Sequence, residues 1–304
     1  MNTFEKARQF IYRNARPLDL ARWQYHFEAG TKEAVLKALS FYQNEDGGFG
    51  HGLESDFLNP NSSPIATWNA AVILEEIQLN DKHHPIVLGI LRYLESGADF
   101  DRTTQQWLNC VPTNNDYPHA TWWTYNENSE LRYNPTANLA GFILKYAPSD
   151  SPLYQKGLEI AKQAVDWFFF QVPFGEQHIT ACFIQLYDFL QDTDCNLVDM
   201  QLFKEKLLQQ VHDNICHDCT KWATDYVCKP SNFFRSPKSM FYTDNIETAD
   251  AEIRFIENNQ LEDGSYPVNW QWWTDYKEFE VSANRWKSVI IIENMLYLKG
   301  FGKI

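Results

Sequence analysis

Basic residues are scarce in this chain. Its 304 residues hold 26 Lys and Arg against 40 Asp and Glu, a formal net charge of −14. Nucleic acids and anionic membrane surfaces both need a basic face, so neither is an expected partner. Long apolar runs are also missing. A stretch such as Val289 to Ile292 falls far short of the roughly 20 apolar residues that a helical membrane span needs. The opening segment MNTFEKARQFIYRNARP is charged and amphipathic, without the apolar centre of a signal peptide. A cytoplasmic location is the expectation, and there the six cysteines are mostly reduced thiols. No Ser/Gly linker divides the chain. Sustained period-two alternation is nearly absent, which argues against a β-rich fold.

What is abundant is aromatic. Phe, Trp and Tyr make up 15% of the residues, with 11 Trp and 21 Phe, so either the core is ring-rich or rings line a cavity.

One stretch organises the rest, Phe41 to Trp68, reading FYQNEDGGFGHGLESDFLNPNSSPIATW. An apolar helical segment runs into Gln43-Asn44-Glu45-Asp46-Gly47-Gly48-Phe49-Gly50, where three glycines in four residues end it. Ser63-Pro64 then supplies an N-cap and a first-turn proline for a new helix. A second, weaker copy is Gln260-Leu261-Glu262-Asp263-Gly264-Ser265-Tyr266. Prolines and caps place further helices over 4–14, 17–28, 31–43, 63–79, 85–96, 135–146, 152–171, 176–190, 197–214, 243–260 and 281–299. Irregular insertions fall near 98–133 and 215–240. The economical reading is one all-α domain over 1–304, an (α/α)6 toroid or barrel of helical hairpins, in which six hairpins close a ring.

The Gln/Asp-Gly-aromatic turns resemble the repeat motif of the terpene cyclase and protein prenyltransferase superfamily of α/α toroids. The resemblance implies a central cavity. It also implies a structural role for Gln43, Asp46, Phe49, Asp263 and Tyr266. The catalytic motifs of that superfamily do not carry over. Asp192-Thr193-Asp194-Cys195 lacks the last acid of the cyclase box, and no Asp-x-Cys stands where the prenyltransferases hold zinc. Pro173-Phe174-Gly175-Glu176-Gln177 resembles the thioester box of complement-type toroids, with Phe174 in place of the reactive cysteine.

Candidate site residues come from the irregular stretches. His51, Glu54 and Asp56 follow the glycine turn and can supply an acid/base group and a carboxylate. Helix capping by the same carboxylates is the structural alternative. Trp122, Trp123, Trp270, Trp272 and Trp273, with His178, are candidate substrate-binding groups, since rings serve a carbocation, a sugar face or simple packing equally. Cys216, Cys219 and Cys228 with nearby histidines form an incomplete zinc set, so no metal is expected. No cofactor is expected either. Three functions stay open. The chain binds or transforms an apolar, isoprenoid-like small molecule; or it is a carbohydrate-active enzyme using paired carboxylates; or it is a non-catalytic binding protein. Oligomeric state is not legible. The loops at 50–63, 172–176 and 265–280 are expected to converge on one end of the barrel.

Overall fold

Prolines and polar caps set where the helices start. In the computed structural model, which describes residues 2–170, 176–191, 193 and 197–304, the Asn2 carboxamide accepts from Glu5 N at 2.8 Å and opens α1 (Thr3–Asn14). Pro17 opens α2 (Pro17–Phe27), and α3 covers Lys32–Ser40. Ser63 Oγ accepts from Ala66 N at 3.2 Å ahead of α4 (Pro64–Glu76). His84 Nδ1 accepts from Ile86 N at 3.2 Å ahead of α5 (Pro85–Ser96). Then come α6 (Thr136–Tyr146), α7 (Pro152–Phe170), α8 (Gln177–Gln191), α9 (Met200–Asn214), α10 (Ile246–Asn258) and α11 (Phe279–Gly300). The expected helices are therefore present, with ends shifted by a few residues. No end moves by more than three residues, and α3 stops at Ser40, where Gln43 turns to pair with Phe49. The only named strands among the described residues are β1 (Phe100–Asp101) and β2 (Gln106–Trp107), a small antiparallel hairpin inside the 98–133 insertion. Among these residues no helix is long and apolar enough to cross a membrane.

The chain divides into two compact units, Ser40–Gln210 and Met1–Leu39 with Val211–Ile304. In the first, α4 and α6 are buried on nearly every side, whereas α5 and α7 bury one face. An all-round apolar helix belongs to an interior and a striped one to a surface. α6 packs against both α7 and α8. Rings fill the space around α7 and α8: Phe168 lies 4.6 Å from Phe183, and Phe203 lies 5.4 Å from Phe168.

In the second unit α11 packs against α1, α2 and α10. Its core gathers Phe10, Trp23, Ile256, Tyr266, Ile292 and Met295.

Each unit holds one copy of the glutamine–glycine turn. Gln43 Nε2 donates to Gly47 O at 2.9 Å and to Ile86 O at 3.1 Å in the first turn of α5. Gln260 Nε2 donates to Gly264 O at 3.0 Å and to Thr3 O at 2.9 Å in the first turn of α1. Asp46 Oδ1 accepts from Gly48 N, and Asp263 Oδ1 from Ser265 N, both at 2.9 Å. Gly47 has φ 95° and Gly264 φ 94°, a region that a side chain rarely adopts. Phe49 and Tyr266 are buried below the two turns. These contacts give Gln43, Asp46, Phe49, Asp263 and Tyr266 bracing work.

Candidate functional site

The loop after the first glycine turn is knitted to the 98–133 insertion. Ala120 N donates to Asp56 O at 2.8 Å and Leu58 N to Pro118 O at 2.9 Å. Phe57 bridges His119, and Trp123 packs edge-on to Phe57 at 5.4 Å. The two sequence candidates Asp56 and Trp123 are thus brought to one place by residues about 60 apart in the chain. Glu54 and Asp56 are buried. Glu54 Oε1 accepts from Asp56 N at 3.1 Å and Oε2 from Asn69 Nδ2 at 3.0 Å, so this carboxylate ties the loop to α4. His51 is exposed, has φ 55° and points Nε2 at Asn44 Oδ1, 2.8 Å away. His178 is exposed at the start of α8, where Glu176 accepts from its backbone N at 3.1 Å. Trp123 keeps a buried indole N–H without a partner.

Beside this junction lies a cavity of about 280 Å³. Trp122, 41% exposed, and Tyr125 contribute rings. Asp101, Glu127, Glu130 and Glu176 contribute carboxylates, against a single guanidinium from Arg132. Arg132 is itself paired with Glu130 at 2.7 Å. A hydrogen bond from the backbone N–H of Thr103 holds the half-buried Asp101 below its ordinary pKa, so it stays ionised. Asn109, Asn126 and Asn134 add carboxamides. Cys110 also lines the cavity, but burial pushes its thiol up to about 11, and its Sγ donates to Trp122 O at 3.4 Å. It is a poor nucleophile there.

Sequence reasoning missed a polar chain on α4, α6 and α8. Gln185 Oε1 accepts from Trp68 Nε1 at 2.8 Å and from Asn138 Nδ2 at 2.7 Å. The indole can only donate, so it sets which way the Gln185 amide points, and Gln185 in turn sets Asn138. Asn138 Oδ1 is left buried without a partner. The available signal was Asn138, the one carboxamide inside the otherwise apolar α6.

In the other unit Trp270 packs edge-on to Trp286 at 5.3 Å, Trp272 is buried, and Trp273 is exposed. Asn269 Nδ2 donates to Trp222 O at 3.2 Å, which joins this loop to the cysteine-bearing segment. There Cys216 N donates to Cys228 O at 2.9 Å, and the three sulfurs meet backbone carbonyls. No group of three or more His, Cys, Asp or Glu among the described residues is arranged to hold a metal ion. Val172 to Gly175, and Asp192, Asp194 and Cys195, lie outside the described residues.

No protein-family model, curated protein or solved structure matches this chain.

Proposed function

We propose that this chain is an α/α toroid, resembling the terpene cyclase and prenyltransferase scaffold, that binds a hydroxyl-rich small molecule of the carbohydrate class. The scaffold reading draws support from the two glutamine turns. The turn at Gln43 is followed by α4 and docks on α5, the second helix after it. The turn at Gln260 is followed by α11 and docks on α1, as though α1 were the second helix after it. That is the contact expected where a ring of hairpins continues past its seam.

The ligand reading rests on one observation, the lining of the 280 Å³ cavity: indole and phenol rings, carboxamides, and four carboxylates against one paired guanidinium. Rings stack on the C–H faces of a sugar, and carboxylates and amides accept and donate to its hydroxyls. The same acidic lining weighs against an isoprenoid diphosphate at this cavity, since nothing there would neutralise the phosphates.

Titration calorimetry of the full chain against neutral mono- and oligosaccharides, with farnesyl diphosphate alongside, tests this. Saturable sugar binding that weakens about tenfold in Trp122→Ala is expected. Diphosphate binding without sugar binding would overturn it.

A further inference from the structure

The loop between Tyr266 and α11 is held firmly and presents one ring outward. Trp270 is wedged against Trp286 and Tyr226 at 5.3 and 5.5 Å, and the buried Trp272 packs on Phe279 at 6.1 Å. Between these anchors Trp273 has φ 57° and is 73% exposed. A bulky residue in the left-handed region is a conformational outlier, kept only where its surroundings impose it. The neighbouring Thr274 hydroxyl oxygen is buried and has no hydrogen-bond partner. Trp272, Trp273 and Thr274 line an open depression of about 470 Å³. Trp272, Trp273, Tyr276 and Phe279 give it rings, and Asp275 gives it a carboxylate. No Lys, Arg or His is among its lining residues.

Aromatic faces carry negative quadrupole charge and attract a cation, and a nearby carboxylate adds to the attraction. A primary ammonium is strongly hydrated and wants hydrogen-bond acceptors, which ring faces supply poorly. An alkylated ammonium carries the charge without that demand. We infer that this loop is a binding site for a quaternary or trimethylated ammonium group, seated against Trp273 and Tyr276 with Asp275 as counter-charge. The inference is independent of the carbohydrate reading, which concerns another ligand and the other unit.

The test is a titration of choline and of tetramethylammonium into the full chain, read by tryptophan fluorescence and by line broadening of the methyl protons. Saturable binding of both probes is expected. Trp273→Ala and Asp275→Asn should each weaken it about tenfold, and Phe41→Ala, which removes an exposed ring elsewhere, should leave it unchanged. Both site substitutions fall on exposed side chains, and unchanged melting curves would confirm intact folding. Absence of saturable binding to the parent chain would overturn the inference. So would binding that survives both substitutions, or equal displacement of the probes by a neutral sugar.

Discussion

Gln260 Nε2 donates to the carbonyl oxygen of Thr3 at 2.9 Å, across 257 residues of sequence. One side chain thereby satisfies its own turn at Gly264 and the first turn of α1. Gln43 does the same for Gly47 and α5. The bond to the glycine four residues on recurs in both turns, and each glutamine also reaches a first-turn carbonyl of a docked helix, so the turn is one device used twice.

That device predicts where substitution is costly. A Cβ at Gly47 would lie 2.1 Å from Gly89 O, and one at Gly264 would lie 2.2 Å from Lys6 O. Gly47→Val and Gly264→Val should each lose about 2–4 kcal/mol, combining backbone strain with a forced opening of the dock. At Gly48 the φ is ordinary, but a Cβ would meet Ser62 Cβ at 2.6 Å, so Gly48→Val should also destabilise. Thermal denaturation with parent-like midpoints for these variants would contradict the described turns.

Glu252 predicts a pH dependence. Its carboxyl is fully buried, accepting from Ser231 N at 2.8 Å and Ser231 Oγ at 2.6 Å. Burial raises its pKa above the ordinary 4.5, against the opposing pull of Lys229 and of the Ser231 donors. The folded state thus holds this proton more tightly than the unfolded chain. The corresponding stability is fully present below about pH 4.5 and is lost as pH rises through the raised folded value. Glu252→Gln should flatten that loss, because an amide can still accept from Ser231 N and donate to its hydroxyl. Urea denaturation between about pH 4 and about pH 8 should show a shallower decline for the variant, and parallel curves would refute the assignment.

The cysteines predict an order of labelling. Burial raises the thiols of Cys110, to about 11, and of Cys182. Cys219 is exposed. Peptide mapping after iodoacetamide treatment near pH 8 should find Cys219 modified about a hundredfold faster than Cys110 or Cys182, since the thiolate is the reacting form and a closed thiol is out of reach. Early modification of Cys182 would show that α8 is not packed as described.

Lys156 predicts a coupling. Its Nζ sits 3.6 Å from the centre of the Phe100 ring and 5.4 Å from that of Trp107, joining α7 to the β1–β2 hairpin. Desolvation by burial lowers its pKa. A double-mutant cycle of Lys156→Met with Phe100→Leu should return a coupling of about 1 kcal/mol. A value near zero would mean that the ammonium prefers water to the ring.

Local signals account for most of what could be read ahead of the structure. Pro17, Pro64, Pro85 and Pro152 start helices at their first position, because the fixed proline φ and its missing N–H act on its immediate neighbours. The candidate site was legible only as a set of residue types. Glu54 was visible as a carboxylate beside a turn, but its bond to Asn69 was not, and that bond makes it a brace. The acidic cavity drew Asp101 and Glu176 from 75 residues apart, a distance over which side-chain periodicity carries no information.

By itself, then, the chain's sequence determined a predominantly helical protein, its helix starts to within three residues, the two glutamine turns and the net negative charge, since capping, backbone sterics and net charge are properties of near neighbours or of composition. The tertiary structure alone decided which carbonyl each glutamine reaches. It also decided that Trp68 orients Gln185 and Asn138 from across 117 residues, that Trp122 opens on a cavity while Trp272 is buried, and that Trp273 faces solvent in a strained backbone. Those outcomes depend on which side chains compete for one space, and packing resolves that competition only once every helix is in place.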